Sequence, residues 1–259
     1  MGNFIAQFAD GLDIRLSTRV TGIDLSGADQ ITVITDQGPL TAQAVIVTAL
    51  LTVLAAGDIA FRPALSATYT RAFDDLPFGL VDKIGIAFSS DVFGGAAANT
   101  MVTRHQDTAR FGMALAKLAG QPMMNVLFGG DLARELEAGG DAAINAYARE
   151  FVTATFGAEA AAAIERTIIN PWGTDPLAMG SYSAARVGKA AARTTLATPL
   201  DNRLYFAGEA ISMTAHSALR GAYLTAQSAA TSIVEHLGAT RSAHKNDARC
   251  AATSRPAAP

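Results

Sequence analysis

"LYFAGEAISMTAHSALRGAYLTAQSAA", residues Leu204 to Ala230, runs from a short apolar strand into a glycine and a carboxylate, then through a loop into a helix of very small side chains. A glycine at the end of a buried strand lets a ligand approach the backbone, and Glu209 next to Gly208 offers oxygens to sugar-like hydroxyls. Arg220, Gly221 and Ala222 are expected to open a helix whose first amides are unpaired and carry the positive end of the dipole. Together these make a seat for a molecule with hydroxyls and an anionic edge. Spacing alone favours the plainer reading, an ordinary strand-loop junction followed by a closely packed helix.

Upstream, "TRVTGIDL" (Thr18 to Leu25) and "QITVIT" (Gln30 to Thr35) are β-branched runs parted by turn-forming residues, and "DIRL" (Asp13 to Leu16) is strand-like too. "AVIVT" (Ala44 to Thr48) is a continuous apolar run of the kind buried on both faces, and "ALLTVLAA" after it suits a short helix. After "IAFRPALS" the pattern changes. "SATYTRAFDDL" predicts a helix, and "VDKIGIAF" (Val81 to Phe88) alternates, with Ile84, Ile86 and Phe88 on one face and Lys83, Gly85 and Ala87 on the other. "PMMNVLF" (Pro122 to Phe128) predicts a partner strand, and Asp131 to Ile164 reads as helix broken at its glycines. A hydrophilic tail from Gly238 is expected to be disordered.

A chain of 259 residues with 50% hydrophobic and 17% charged residues can bury a sizeable core. Its formal net charge of -3, with no basic run, argues against a nucleic-acid partner. The most apolar stretch, Ala44 to Gly57, falls short of the roughly 18 apolar residues of a membrane span. With one cysteine, Cys250, and no signal-peptide pattern, the expected setting is the cytoplasm. The four histidines lack metal-ligand spacing, so no metal site is expected. No G-x-S-x-G elbow, no phosphate-binding P-loop and no G-x-G-x-x-G occurs.

The Leu204 to Ala230 stretch resembles the C-terminal flavin-binding signature of the flavin-dependent amine oxidases, the family of monoamine and polyamine oxidases and related histone demethylases. Three further blocks are similar in the right order: "RVTGIDL...ITVIT...AQAVIVTALLTVL...IAFRPAL", "LPFGLVDKIGIAF" and "PWGTDPLAMGSYS". The resemblance implies an α+β fold with an incomplete, Rossmann-like FAD-binding domain built from residues 1–57 and 195–237. A substrate domain with a mixed sheet and helices spans 58–194, and residues 238–259 form the tail. It implies oxidation of an amine C–N bond by hydride transfer to flavin N5, with oxygen as reoxidant giving hydrogen peroxide.

The same resemblance implies that Lys83 holds a water beside flavin N5, although unaided it reads as a solvated lysine. Trp172 and Tyr182 would stand near the flavin ring, Tyr182 as one wall of an aromatic cage; a core tryptophan and tyrosine are the competing reading. Val20 would meet the adenine through its backbone, Gly208 and Glu209 the ribityl or diphosphate side, and Gly221 with Ala222 the isoalloxazine edge. Ser181 stands where some members carry a flavin-bonded cysteine, so FAD is expected to be non-covalent. Ala218 and "VFGGAAANT" replace bulkier family residues, implying a wide cleft for bulky or secondary amines. The family's upstream glycine-rich unit has no counterpart here, and "MGNFIAQFADGLDIRL" resembles an internal family stretch, making Met1 an expected internal methionine. The chain therefore resembles a C-terminal half, acting with a complementary N-terminal half. The alternative is a non-catalytic fragment or interaction module that keeps the fold without flavin.

Overall fold

The structure, a computed structural model, describes residues 2–105 and 111–253. A short helix α1 (Gly2–Ala6) precedes the antiparallel strands β1 (Val20–Asp24), β2 (Ile31–Thr35) and β3 (Leu40–Ala42). Then follow β4 (Val45–Val47), helix α2 (Leu51–Ala55), β5 (Ala60–Arg62) and helix α3 (Ala67–Asp75). β5 lies parallel to β1, with Ile23 opposite Phe61, so the first sheet runs β3-β2-β1-β5. Asp13 to Leu16, expected as a strand, is irregular: its side chains are exposed, so no apolar face draws it into a sheet.

The middle of the chain begins with β6 (Phe78–Gly79) and β7 (Val81–Phe88), then β8 (Thr100–His105), β9 (Phe111–Ala116) and β10 (Met123–Gly129). Helices α4 (Asp131–Ala138), α5 (Gly140–Phe156) and α6 (Ala158–Ala162) come next, parted at Gly139 and Gly157, and lead into β11 (Ile164–Asn170). The second sheet is wholly antiparallel in the order β11-β7-β10-β9-β8. The predicted alternation of β7 is seen directly: Ile84, Ile86 and Phe88 enter the core, and Lys83 is exposed. That core, filled by Val126, Phe128, Tyr147 and Phe151 among others, lies between this sheet and α4 and α5.

The chain closes with β12 (Tyr182–Ser183), helix α7 (Ala192–Ala197), β13 (Leu204–Phe206) and helix α8 (Leu219–Thr253). β13 pairs with β4 in parallel, Leu204 opposite Val45 and Phe206 opposite Val47, which joins the two ends of the chain. Around this pair Ile23, Leu51, Phe73, Leu76, Leu196 and Phe206 form a second core. Phe73 and Leu76 thus pack with the segment before residue 58, beyond the boundary expected there, because the apolar face of α3 lies on β13. β4 itself is only half-buried at Val45 and Ile46, less than its unbroken apolar run predicts, since these side chains line an open cleft.

α8 starts two residues before Gly221 and continues beyond Gly238 to Thr253, where the composition predicts a disordered tail. That stretch is hydrophilic, but its alanines, arginines and lysine are strong helix formers, and propensity sets the local backbone. Met1 and residues 254–259 lie outside the described residues.

Gly112 in β9 shows how tightly the second sheet meets α5. A Cβ there would stand 2.5 Å from the Tyr147 hydroxyl and 2.8 Å from a Phe151 ring carbon, both on buried side chains. Gly112→Ala is expected to destabilise the chain by about 1–3 kcal/mol through overpacking, read as a lower urea midpoint.

Candidate functional site

Three segments meet where β7 begins, beside the two-stranded pair of β6 and β12. Ser181 locks them: its amide donates to the Gly79 carbonyl (2.8 Å), the Val81 amide donates to its hydroxyl oxygen (2.8 Å), and its hydroxyl lies 2.8 Å from the Val81 carbonyl. β12 then pairs with β6, Tyr182 opposite Gly79, which puts Tyr182 four residues from Lys83 along the neighbouring chain. On the other side Lys83 faces Asn170 of β11, two residues before Trp172. Trp172 is 37% exposed and Tyr182 40% exposed, so neither is a core aromatic. Lys83, Trp172 and Tyr182 thus lie on segments that meet along residues 79–83, and each is exposed, the three together being termed the exposed wall.

The Trp172 turn is held from behind by two carboxyl groups. The amide of Trp172 donates to Asp82 Oδ1 (3.1 Å) and the amide of Gly173 donates to Glu137 Oε1 (2.7 Å). Asp82 is fully buried. Burial pushes its carboxyl up to about 7, the Trp172 amide opposes the shift, and neighbouring Glu137 adds to it.

The signature stretch is a second cluster. Glu209 Oε1 accepts from the Ser183 amide (2.9 Å), while Oε2 accepts from the Ser183 hydroxyl (2.9 Å) and the Ser217 amide (2.6 Å). Arg193, only 2% exposed, donates to the Ser183 hydroxyl oxygen (2.8 Å) and to the Ala210 carbonyl. Desolvation lowers the guanidinium pKa and the Glu209 carboxylate counters it. The carboxylate expected to meet ligand hydroxyls is therefore engaged by the protein, joining β12, the β13 tip and the loop before α8.

Thr225 completes the clamp between strand tip and helix. The Gly208 amide donates to Thr225 Oγ1 (3.0 Å), and the Thr225 hydroxyl lies within reach of the carbonyls of Gly208 (3.0 Å) and Gly221 (2.9 Å). The amides of Gly221 and Ala222, expected to be unpaired, donate to Ala218 O at 2.9 and 3.4 Å, because the helix begins earlier, at Leu219. Gly221 is required by packing, since a Cβ there would collide with the Ala215 carbonyl.

Val20 stands apart from both clusters. It lines a cleft of about 810 Å³ together with Asp36, Ile46, Thr48, Ala49 and Leu50. Thr48, Ala49 and Leu50 also line the depression over Gly208 and Glu209, so both border the carboxyl ends of the parallel strands β4 and β13. Such strand ends are the usual ligand seat of parallel sheets. The described residues contain no group of His, Cys, Asp and Glu able to hold a metal ion, and no helix long and apolar enough to cross a membrane.

Arg193 and Asp82 were not predicted as site residues, yet each carried a signal. Helical spacing puts Arg193 on the same face as buried Leu196, and strand alternation puts Asp82 on the Ile84 face. A charged residue on an apolar face needs built partners. Ser183, Ser217 and Thr225 had no such mark.

The α+β arrangement of this chain is shared with known proteins. The family model described as flavin containing amine oxidoreductase matches residues 1–234, and the chain belongs to that family. It is 34% identical to polyamine oxidase 4 of Oryza sativa subsp. japonica over 87% of this chain and 46% of that protein. It is 29% identical to lysine-specific histone demethylase 1 homolog 2 of Arabidopsis thaliana over 89% of this chain and 32% of that protein. Among solved structures, a triple mutant of putrescine oxidase superposes with a TM-score of 0.75 at 15% identity, covering 89% of this chain and 51% of the other. Cyclohexylamine oxidase from Brevibacterium oxydans gives 0.68 at 19% identity, covering 85% and 48%. The chain spans about half the length of the polyamine oxidases it matches.

Because Arg193 is buried among acceptors, Arg193→Met is expected to cost about 3–5 kcal/mol by leaving the Glu209 cluster without its cation. Chemical denaturation of the two proteins side by side checks this.

Proposed function

We propose that this chain supplies the flavin-ring and substrate side of an FAD-dependent amine oxidase, with a complementary N-terminal half supplying the diphosphate site. The observation that carries this is the exposed wall of Lys83, Trp172 and Tyr182, tied through Ser183 and Glu209 to the Gly208 strand tip. The residues suit a flavin in two respects: Thr48, Ala49 and Leu50 line both the cleft at Val20 and the depression at Gly208, and Trp172 and Tyr182 are partly open to solvent. The division into a flavin-side unit and a substrate-side unit belongs to the same proposal, supported by the two separate cores.

The chemistry FAD supplies when bound is hydride acceptance at N5 and reoxidation by oxygen to hydrogen peroxide, so that the amine leaves as an imine that water hydrolyses. The chain's own residues orient and exclude. Trp172 and Tyr182 offer ring faces against which a neutral amine is held with its α-carbon toward the cleft, displacing water. The Lys83 ammonium, with three N–H donors and no acceptor, holds a water by its oxygen. Ser181 spends its hydroxyl on Val81 and offers no thiol, so attachment of FAD is non-covalent. Ala218 and the glycine turn at Gly94 and Gly95 leave room for bulky or secondary amines.

The chain alone is expected to bind FAD poorly, because the glycine turn and helix start that neutralise a diphosphate are absent from its 259 residues. Mixed with a family N-terminal half carrying G-x-G-x-x-G, it should acquire a flavin absorbance band and a higher melting temperature. In that assembly Lys83→Met should slow flavin reduction or reoxidation by about 10-fold or more while leaving the melting temperature unchanged. A mixture that stays colourless, or an unaltered rate in the variant, counts against the proposal.

A further inference from the structure

Asp82 presents an unanswered question in hydrogen bonding. Its Oδ1 receives the Trp172 amide, but its Oδ2 is buried with no donor within reach. The side chain alongside is Glu137 of α4, which receives the next amide of the same turn, that of Gly173. The contact is close: a Cβ on Gly173 would collide with Glu137 Oε2. An ionised carboxylate only accepts hydrogen bonds, so two of them side by side leave the buried oxygen orphaned and repel one another. A single proton between them turns one carboxyl into a donor and satisfies Oδ2.

We propose that Asp82 and Glu137 share one proton, and that the protonated pair is a positioning device that fixes consecutive amides of the Trp172–Gly173 turn. Among the described residues no other side chain competes for the role. β10 and the segment from Phe78 to Val81 carry no charged residue, and Lys83 lies on the opposite face of β7. Asp131, Arg134 and Glu135 of α4, and Glu165 and Arg166 of β11, are exposed to solvent. Asp175, in the same turn, accepts from the Leu177 amide instead.

The consequence is a pH dependence of defined sign. Asp82 is raised from its ordinary 3.8 to about 7, so the folded chain keeps a proton that the unfolded chain releases. The stabilisation is complete below about 3.8 and is lost as pH rises through about 7, where two charges face each other. The importance of Trp172 placement for amine oxidation rests on the function proposed above; the shared proton does not.

Trp172 is the sole tryptophan, which makes the turn directly observable. With the chain as it is and no flavin added, tryptophan emission followed from about pH 5 to about pH 9 should show one step centred near 7. In Asp82→Asn the amide nitrogen donates to Glu137 at every pH, so the step should vanish and emission should stay at the low-pH limit. Glu137→Gln, which donates from the other side, should behave alike and guards against misfolding of the first variant. A flat wild-type profile, or a step that persists in both variants, overturns the proposal. Neither result bears on whether the assembled protein binds flavin, which absorbance reports separately.

Discussion

A guanidinium taken almost wholly out of water has to be given acceptors, and Arg193 receives them from two separate parts of the chain, with a carboxylate nearby. The Ser183 hydroxyl belongs to the strand carrying Tyr182, the Ala210 carbonyl to the turn after β13, and the nearby Glu209 carboxylate reaches on to the Ser217 amide. Removing Ser183 or the Ala210 contact leaves the buried guanidinium short of an acceptor, which costs more than the hydrogen bond contributes when made. This cluster sets the geometry of everything around it. It fixes the β13 tip against β12, and β12 in turn is fixed against β6 and the start of β7 through Ser181. The exposed aromatic wall and the strand ends that border the cleft are therefore parts of one hydrogen-bonded frame.

Behind the wall the fold repeats the device with acidic groups. Glu209 organises backbone amides from one side and Asp82 with Glu137 from the other, so both flanks of the segment from Pro171 to Ser183 are held by carboxyl oxygens. The difference lies in compensation. Glu209 has a buried cation beside it, whereas Asp82 has none and burial raises its pKa. Similar side chains thus do similar mechanical work in different electrostatic surroundings.

Much of this was legible in the sequence. Periodicity placed β1, β2, β7 and β10, the apolar runs placed β4 and β13, and the four family-like blocks put Lys83, Trp172 and Tyr182 in one neighbourhood. Family membership and the α+β fold of amine oxidases are in agreement with those expectations. What the sequence could not carry was who pairs with whom among polar groups. Glu209 looks equally available to a ligand and to Ser183 until the loop is folded, and the helix start moved from Arg220 to Leu219 because a carbonyl, at Ala218, was available to cap it. Strand β9 lacked a decisive pattern because its inward positions are the small residues Gly112, Ala114 and Ala116, so the larger side chains of Met113 and Leu115 fall on the opposite face. The run Asp13 to Leu16 had the composition of a strand but no partner to give it one.

The parallel pairing of β4 with β13 also sets an order of events during synthesis. Val45 leaves the ribosome long before its partner Leu204, and the residues between them include every member of the core formed by β7, β10, α4 and α5. That core can close on local contacts while β4 waits with an open edge, and long-range parallel pairing is slow for the same entropic reason. The chain therefore matures from its middle outward. Until β13 arrives, β4 keeps an unpaired edge of the kind that invites pairing with another chain.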